Sequence, residues 1–198
     1  HGVLLPDNRA RMHSPHPSPI QEHRFFHADG WNKLTPNQDI QPVGGPTGLS
    51  VFGVNYVRQW LDADGQLTPA LVREMDLELI RQAAFGHRSS RLRSMFCARS
   101  IDDALHHVRR NTSNNRHAVV RVFEVYAREF HELDSMWLDL VGPGVNRAFM
   151  QARYSRCWSG DMSSDQISGI VRPPLIEVLT PLPIRIGGLV HEAPLAQL

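Results

Sequence analysis

The 198-residue chain is 41% hydrophobic and 21% charged, carries a formal net charge of +1, and is long enough for one domain with a sizeable core. A charge this close to zero argues against a nucleic-acid binder that works by bulk phosphate neutralisation. With no apolar run of about 18 residues, no membrane-spanning helix is expected.

Residues 1–20 hold His13-Ser14-Pro15-His16-Pro17-Ser18-Pro19, whose X-Pro steps oppose helix, and read as a flexible N-terminal arm. Residues 21–198 read as one domain. Its first strand is expected at 22–28, with two phenylalanines between polar residues, followed by a short turn of helix within 31–40. Gly44-Gly45-Pro46-Thr47-Gly48 forms a flexible connection to a helix over about 50–61. Thr68-Pro69 is an N-cap followed by proline at the first helical position, and it opens a helix over 69–84 with Leu71, Met75 and Leu79 as its apolar stripe.

A strand at 93–98 then leads into a helix from Ser100 to about Arg110, whose first-turn acids Asp102 and Asp103 suit the helix dipole. After a loop at 111–115, Ala118–Tyr126 is the clearest strand. Gly142-Pro143-Gly144 introduces a helix over about 145–157, ended by Trp158-Ser159-Gly160-Asp161. Finally, 173–186 reads as two short apolar strands joined by a proline-rich turn, interrupted by one carboxylate, Glu177. An acid in an apolar strand costs several kcal/mol unless it is paired, hydrogen-bonded or facing a cleft. The order is strand, helices, strand, helix, strand, helix, strand, strand, which is an α+β pattern.

Common site motifs are missing from the sequence. The glycine cluster at 44–48 lacks the spacing and preceding strand of a dinucleotide fingerprint. No Walker loop, GxSxG elbow or HExxH occurs. Among 11 histidines, His106 and His107 are adjacent and cannot share a helix face, so no metal site is expected. Cys97 and Cys157 stand in no CxxC or Cys/His zinc spacing, so free thiols in a reducing compartment are expected. Lys33 is the sole lysine among 21 lysines and arginines.

Taken in order, the strand with Arg24 and His27 around two phenylalanines, the strand Ser94–Ser100 running into an acid-capped helix, and the strand bearing Glu177 resemble the ADP-ribosyltransferase superfamily. The resemblance spans about 22–188 and includes bacterial mono-ADP-ribosylating toxins and poly-ADP-ribose polymerases. It implies two small antiparallel sheets around an NAD cleft, flanked by helices. NAD is then the co-substrate and Glu177 the catalytic glutamate. Family members carry an Arg or His on the first strand to hold the adenosine ribose and phosphates. The toxin-like pattern His23-Arg24-Phe25 offers Arg24, and the polymerase-like pattern Phe26-His27-Ala28 offers His27, with Phe26 beside it.

The second family strand ends in Ser-Thr-Ser in many toxins. Here Ala98-Arg99-Ser100 matches only at Ser100, while the upstream Arg91–Phe96 resembles a variant in which Ser94 and Phe96 line the pocket. Phenylalanine suits nicotinamide, which needs a flat apolar partner. The segment Arg153–Gly160 resembles the Tyr-Trp-x-Gly stretch of bacterial relatives, with Tyr154 and Trp158 read as core. Two residues before the glutamate, family members carry Glu for arginine acceptors and Gln for asparagine; this chain has Leu175. The resemblance therefore implies another acceptor or NAD hydrolysis, with effectors that ADP-ribosylate a threonine of host ubiquitin as precedent. A monomeric bacterial effector acting in a host cytosol is the matching expectation, and a non-catalytic binding domain of the same fold is the third class.

Overall fold

Backbone hydrogen bonding in a computed structural model, which describes residues 21–58, 65–110, 119–139, 146–162 and 173–197, divides the strands between two antiparallel sheets. The first sheet has the order β1 (His23–Asp29), β4 (Val119–Ala127), β7 (Ile184–Pro194), β2 (Asp39–Ile40). The second has the order β3 (Ser94–Cys97), β6 (Ile176–Pro181), β5 (His131–Asp134). Four helices accompany them among the described residues: α1 (Val51–Arg58), α2 (Pro69–Ala84), α3 (Ile101–Arg110) and α4 (Arg147–Ser159). The chain is thus α+β, with two small antiparallel sheets and flanking helices.

A backbone bridge joins the two sheets. The Phe26 amide donates to the Ala98 carbonyl at 3.0 Å and the Ala98 amide returns a bond to Phe26 at 2.8 Å, so β1 is stitched to the residue after β3. Phe25, Phe123, Val125 and Ile186 of the first sheet pack against Cys97 and Val178 of the second. On the far face of the second sheet, Leu133 and Leu179 meet Leu77 of α2 and Tyr154, Cys157 and Trp158 of α4. The Trp158 indole N–H is satisfied inside this core by the Leu77 carbonyl at 2.8 Å. A third cluster joins Ala104, Leu105 and Val108 of α3 to Val120 and Val122. Each fully buried aliphatic side chain contributes roughly 1.5–3 kcal/mol relative to exposure.

Local signals explain the helix ends. The Thr68 hydroxyl accepts the Leu71 amide at 3.3 Å, and Pro69 begins α2 where no amide partner is needed. Asn146 caps α4 in the same way, and Gly160 ends it in the left-handed region, at φ 77°, with its amide bonded to the last turn.

The structure corrects several expectations. Residues 31–38 form turns rather than a helix, because the buried Asp29 carboxylate accepts the Trp31 and Leu34 amides at 3.0 and 2.7 Å; β2 then follows. Strand β5 (His-Glu-Leu-Asp) has a single apolar residue and is held by pairing with β6, so no local pattern announces it. The strands flanking the proline-rich turn do not pair with each other: β6 joins β3 and β5, whereas β7, 11 residues long, crosses to β4. The arm at 1–20, the last residues of the helix expected to 61, the loop at 111–115 and Gly142-Pro143-Gly144 lie outside the described residues.

Helix α2 is turned relative to its expected stripe. Met75 and Leu79 are 45% and 58% exposed, while Leu71, Glu74, Asp76 and Leu77 are buried. Two carboxylates take inward positions because each meets a guanidinium: Glu74 bonds Arg91 and Arg73, and Asp76 bonds Arg147. Leu77→Ala is therefore expected to cost about 2–5 kcal/mol in urea unfolding, and Leu79→Ala within about 0.5 kcal/mol. Equal losses would contradict this orientation.

Candidate active site

Strand β6 is the middle strand of its sheet, not an edge, and Glu177 lies at its start opposite Leu133 of β5. The neighbouring β3 pairs from Val178 onward, so Glu177 stands one residue beyond the β3 ladder. The ends of this segment are fixed independently. The Leu175 amide donates to Asp134, its carbonyl accepts from the Ser135 amide and hydroxyl, and His107 of α3 donates to the Ile176 carbonyl.

The Glu177 side chain is 14% exposed and meets a guanidinium that sequence reasoning did not assign to the site. Arg91 begins a 3₁₀ turn (Arg91–Arg93) just before β3, with the Ser90 hydroxyl accepting the Leu92 amide. One Arg91 amino group donates to Glu177 Oε1, and Nε donates to Glu74 Oε2 at 3.1 Å. The guanidinium carbon stands 4.7 Å from the centre of the Phe96 ring, a cation–π contact. Burial opposes charge on Arg91, but the carboxylates of Glu177 and then Glu74 outweigh it and raise its pKa above the ordinary arginine value.

Phe96 is held from a second side by α1. A Cβ on Gly53 would fall 2.1 Å from the Leu92 carbonyl oxygen, so glycine lets α1 lie directly on the 3₁₀ turn. Phe52, the preceding residue, then meets Phe96 edge to face with centroids 4.2 Å apart. The Phe96 carbonyl in turn accepts from His27 Nδ1 at 2.6 Å. A carbonyl only accepts, so Nδ1 carries the proton and Nε2 of the neutral ring is an acceptor. Burial lowers the pKa of His27, against smaller opposing effects of that hydrogen bond and of Asp29.

Three of the seven predicted residues are thereby linked: His27 touches the Phe96 backbone, and Arg91 links the Phe96 ring to Glu177. The remaining candidates fall elsewhere. Arg24 is an odd number of residues from His27 on β1 and points to the opposite face. There it is 59% exposed, paired with Glu124 at 3.1 Å and 5.4 Å from the ring centre of Phe26. Phe26 shares that face and leans on the α3 cluster. Ser94 is fully buried, with its hydroxyl donating to the Ser90 carbonyl at 2.8 Å. Ser100 caps α3, accepting the Asp103 amide at 3.1 Å and donating to the Asp103 carboxylate at 2.8 Å.

Two signals for the missed residues were present in the sequence. Leu71, Glu74, Leu77 and Ile80 recur every three residues, so an acid occupies one place of an otherwise apolar face. Arg91 stands beside Leu92, a few residues before the apolar run Met95-Phe96-Cys97-Ala98. Among the described residues no group of three or more His, Cys, Asp or Glu could hold a metal. Cys97 and Cys157 are free thiols, and burial pushes both up to about 12. An open depression of about 320 Å³ lies away from this cluster, between Arg88, Phe130, His131 and Gly160. No protein-family model matches the chain, and no curated protein matches it.

The neutral His27 gives a pH prediction. Its folded-state pKa is depressed, so its contribution is fully present above the unfolded value of about 6.5 and is lost as pH falls from there toward the folded value. His131, also lowered by burial and then by Arg88, acts in the same direction. Urea unfolding should show stability falling below about pH 6.5, and His27→Gln should flatten that fall without abolishing it. An unchanged slope in His27→Gln would contradict the assigned state.

Proposed function

We propose that the chain is an NAD-dependent mono-ADP-ribosyltransferase with Glu177 as the catalytic carboxylate. The observation that carries this reading is the chain of contacts through Phe96, whose carbonyl meets a half-buried histidine of the first strand and whose ring meets Arg91, the partner of the carboxylate on the sixth. The same three places, on the first strand, the strand after the helices and the later acid-bearing strand, are those of the ADP-ribosyltransferase resemblance. The two antiparallel sheets, joined where β1 meets the end of β3, support it as well.

In the proposed reaction the bond between C1′ of the ribose and the nicotinamide nitrogen breaks, and its electron pair leaves with nicotinamide. Positive charge develops on C1′ and the ring oxygen, as in glycoside hydrolysis. Glu177 stabilises that charge and accepts a hydrogen bond from the ribose 2′-hydroxyl. Phe96 supplies flat apolar surface for the nicotinamide ring, and neutral His27 offers Nε2 to a hydroxyl of the adenosine ribose. A nucleophile then donates its lone pair to C1′ and loses its proton to solvent, which completes the transfer.

The acceptor is proposed to be a protein side chain other than arginine, in a host protein. Leu175, two residues before Glu177, is buried with both backbone groups bonded, so it offers no polar side chain to an arginine. The same observation favours a second reading, in which water is the acceptor and NAD is hydrolysed.

Incubating the protein with labelled NAD, with and without a cell lysate, tests the assignment. Wild type is expected to release nicotinamide, and Glu177→Gln to lower that rate by on the order of 10² to 10³. A labelled protein band indicates transfer, whereas nicotinamide release without a band indicates hydrolysis. Wild type that leaves NAD untouched in both conditions would contradict the proposal.

A further inference from the structure

We infer that Arg91 is a positioning residue for Glu177, fixing Oε1 of the carboxylate while Oε2 is left to the substrate, with Glu74 as the anchor that holds Arg91. The inference rests on the reading of Glu177 as the catalytic carboxylate and adds the device that aims it.

The guanidinium is constrained on three sides. Nε is tied to Glu74 of α2, one amino group to Glu177 of β6, and its face lies over Phe96 of β3. Its side chain is only 7% exposed, so water competes little for these bonds. The anchor is itself fixed: Glu74 Oε1 accepts from Arg73 at 3.3 Å. The backbone under Arg91 is held by Ser90, whose hydroxyl donates to Glu78 Oε2 of α2 at 2.9 Å. Among the described residues, Glu177 bonds through Oε1.

Charge arithmetic gives the arrangement its use. Arg73 and Arg91 together balance Glu74 and Glu177, but Arg91 divides its bonds between the two acids and engages Glu177 through Oε1 alone, so the carboxylate is ordered while Oε2 keeps its attraction for a developing cation. The other titratable groups facing the cluster are Arg73 of α2 on Glu74, Cys97 at the end of β3 and Cys157 of α4. Both thiols stay protonated, because burial pushes them up to about 12. Without Arg91, Glu177 would lose its direct counter-ion while Glu74 stays nearby, an arrangement that disfavours a second negative charge.

The test is NAD turnover by the full chain as a function of pH in wild type, Arg91→Lys, Arg91→Gln and the double variant Glu74→Gln/Arg91→Gln. The double variant avoids leaving Glu74 buried beside an empty position. Arg91→Gln is expected to lower kcat on the order of 10²-fold with KM for NAD little changed. The acid limb of its kcat/KM profile should move up by about one pH unit or more. The double variant should share that shift, and Arg91→Lys should recover part of the rate. An acid limb that stays in place in both glutamine variants would overturn the inference, as would Arg91→Lys falling as far as Arg91→Gln.

A second readout separates this inference from the proposed reaction. The ¹³C carboxyl signal of Glu177, identified by its loss in Glu177→Gln, is titrated in wild type and in the Arg91→Gln chain. A midpoint shifted to higher pH in Arg91→Gln supports the positioning role, and an unmoved midpoint overturns it. Absence of NAD turnover in wild type overturns the proposed reaction alone, leaving the titration to decide the role of Arg91.

Discussion

A single buried guanidinium ties the second sheet to the helices. Arg91 cannot be left uncharged or unpaired in the interior without a cost of several kcal/mol, so the fold must bring acids to it. Glu74 comes from α2 and Glu177 from β6. Meeting the first demand turns α2 so that Glu74 faces inward and Met75 and Leu79 face solvent. Meeting the second places the start of β6 beside the 3₁₀ turn that precedes β3. The ion pairs add little net stability over a well-packed apolar equivalent, but they select one orientation of α2 and one placement of Glu177.

The geometry around Phe96 follows from that constraint together with the crossing of β6 into β7. Because consecutive strands enter different sheets, the three-stranded sheet is joined to the four-stranded one both by the chain at 181–184 and by the Phe26–Ala98 bridge. His27 can then reach the Phe96 carbonyl across the junction. A half-buried, neutral histidine meets the backbone of Phe96 while Arg91, bound to Glu177, meets its ring, and these elements lie far apart in sequence. In the proposed function, the rigidity of these supports is what a charge-stabilising carboxylate needs, since preorganised groups do not reorganise during the reaction.

Much of this was legible in the sequence where local physics decides. Thr68-Pro69 marked the start of α2, Gly160 the end of α4, and the valine-rich run at 119–125 the central strand β4. Glu177 stood out as an acid in an apolar strand. Pairing partners were not legible, because they depend on contacts distant in sequence. Strand β5 has too little apolar pattern to announce itself, and the proline-rich turn gives no sign that its two strands part company. The stripe Leu71, Met75, Leu79 fits helical spacing as well as Leu71, Glu74, Leu77 does, and the guanidiniums that meet Glu74 and Asp76 decide between them. On paper His27 was slightly preferred and Arg24 kept beside it; the alternation of a strand sends them to opposite faces, and His27 reaches the Phe96 cluster.

In the proposed function a ligand-binding surface forms around Phe96, between His27 and Glu177. Chemical-shift mapping of the isotope-labelled chain during titration with NAD tests it most directly. The largest changes are expected on Phe96, His27, Arg91 and Glu177. Changes confined to the Arg24 face of β1, or to the depression beside Arg88 and His131, would contradict it.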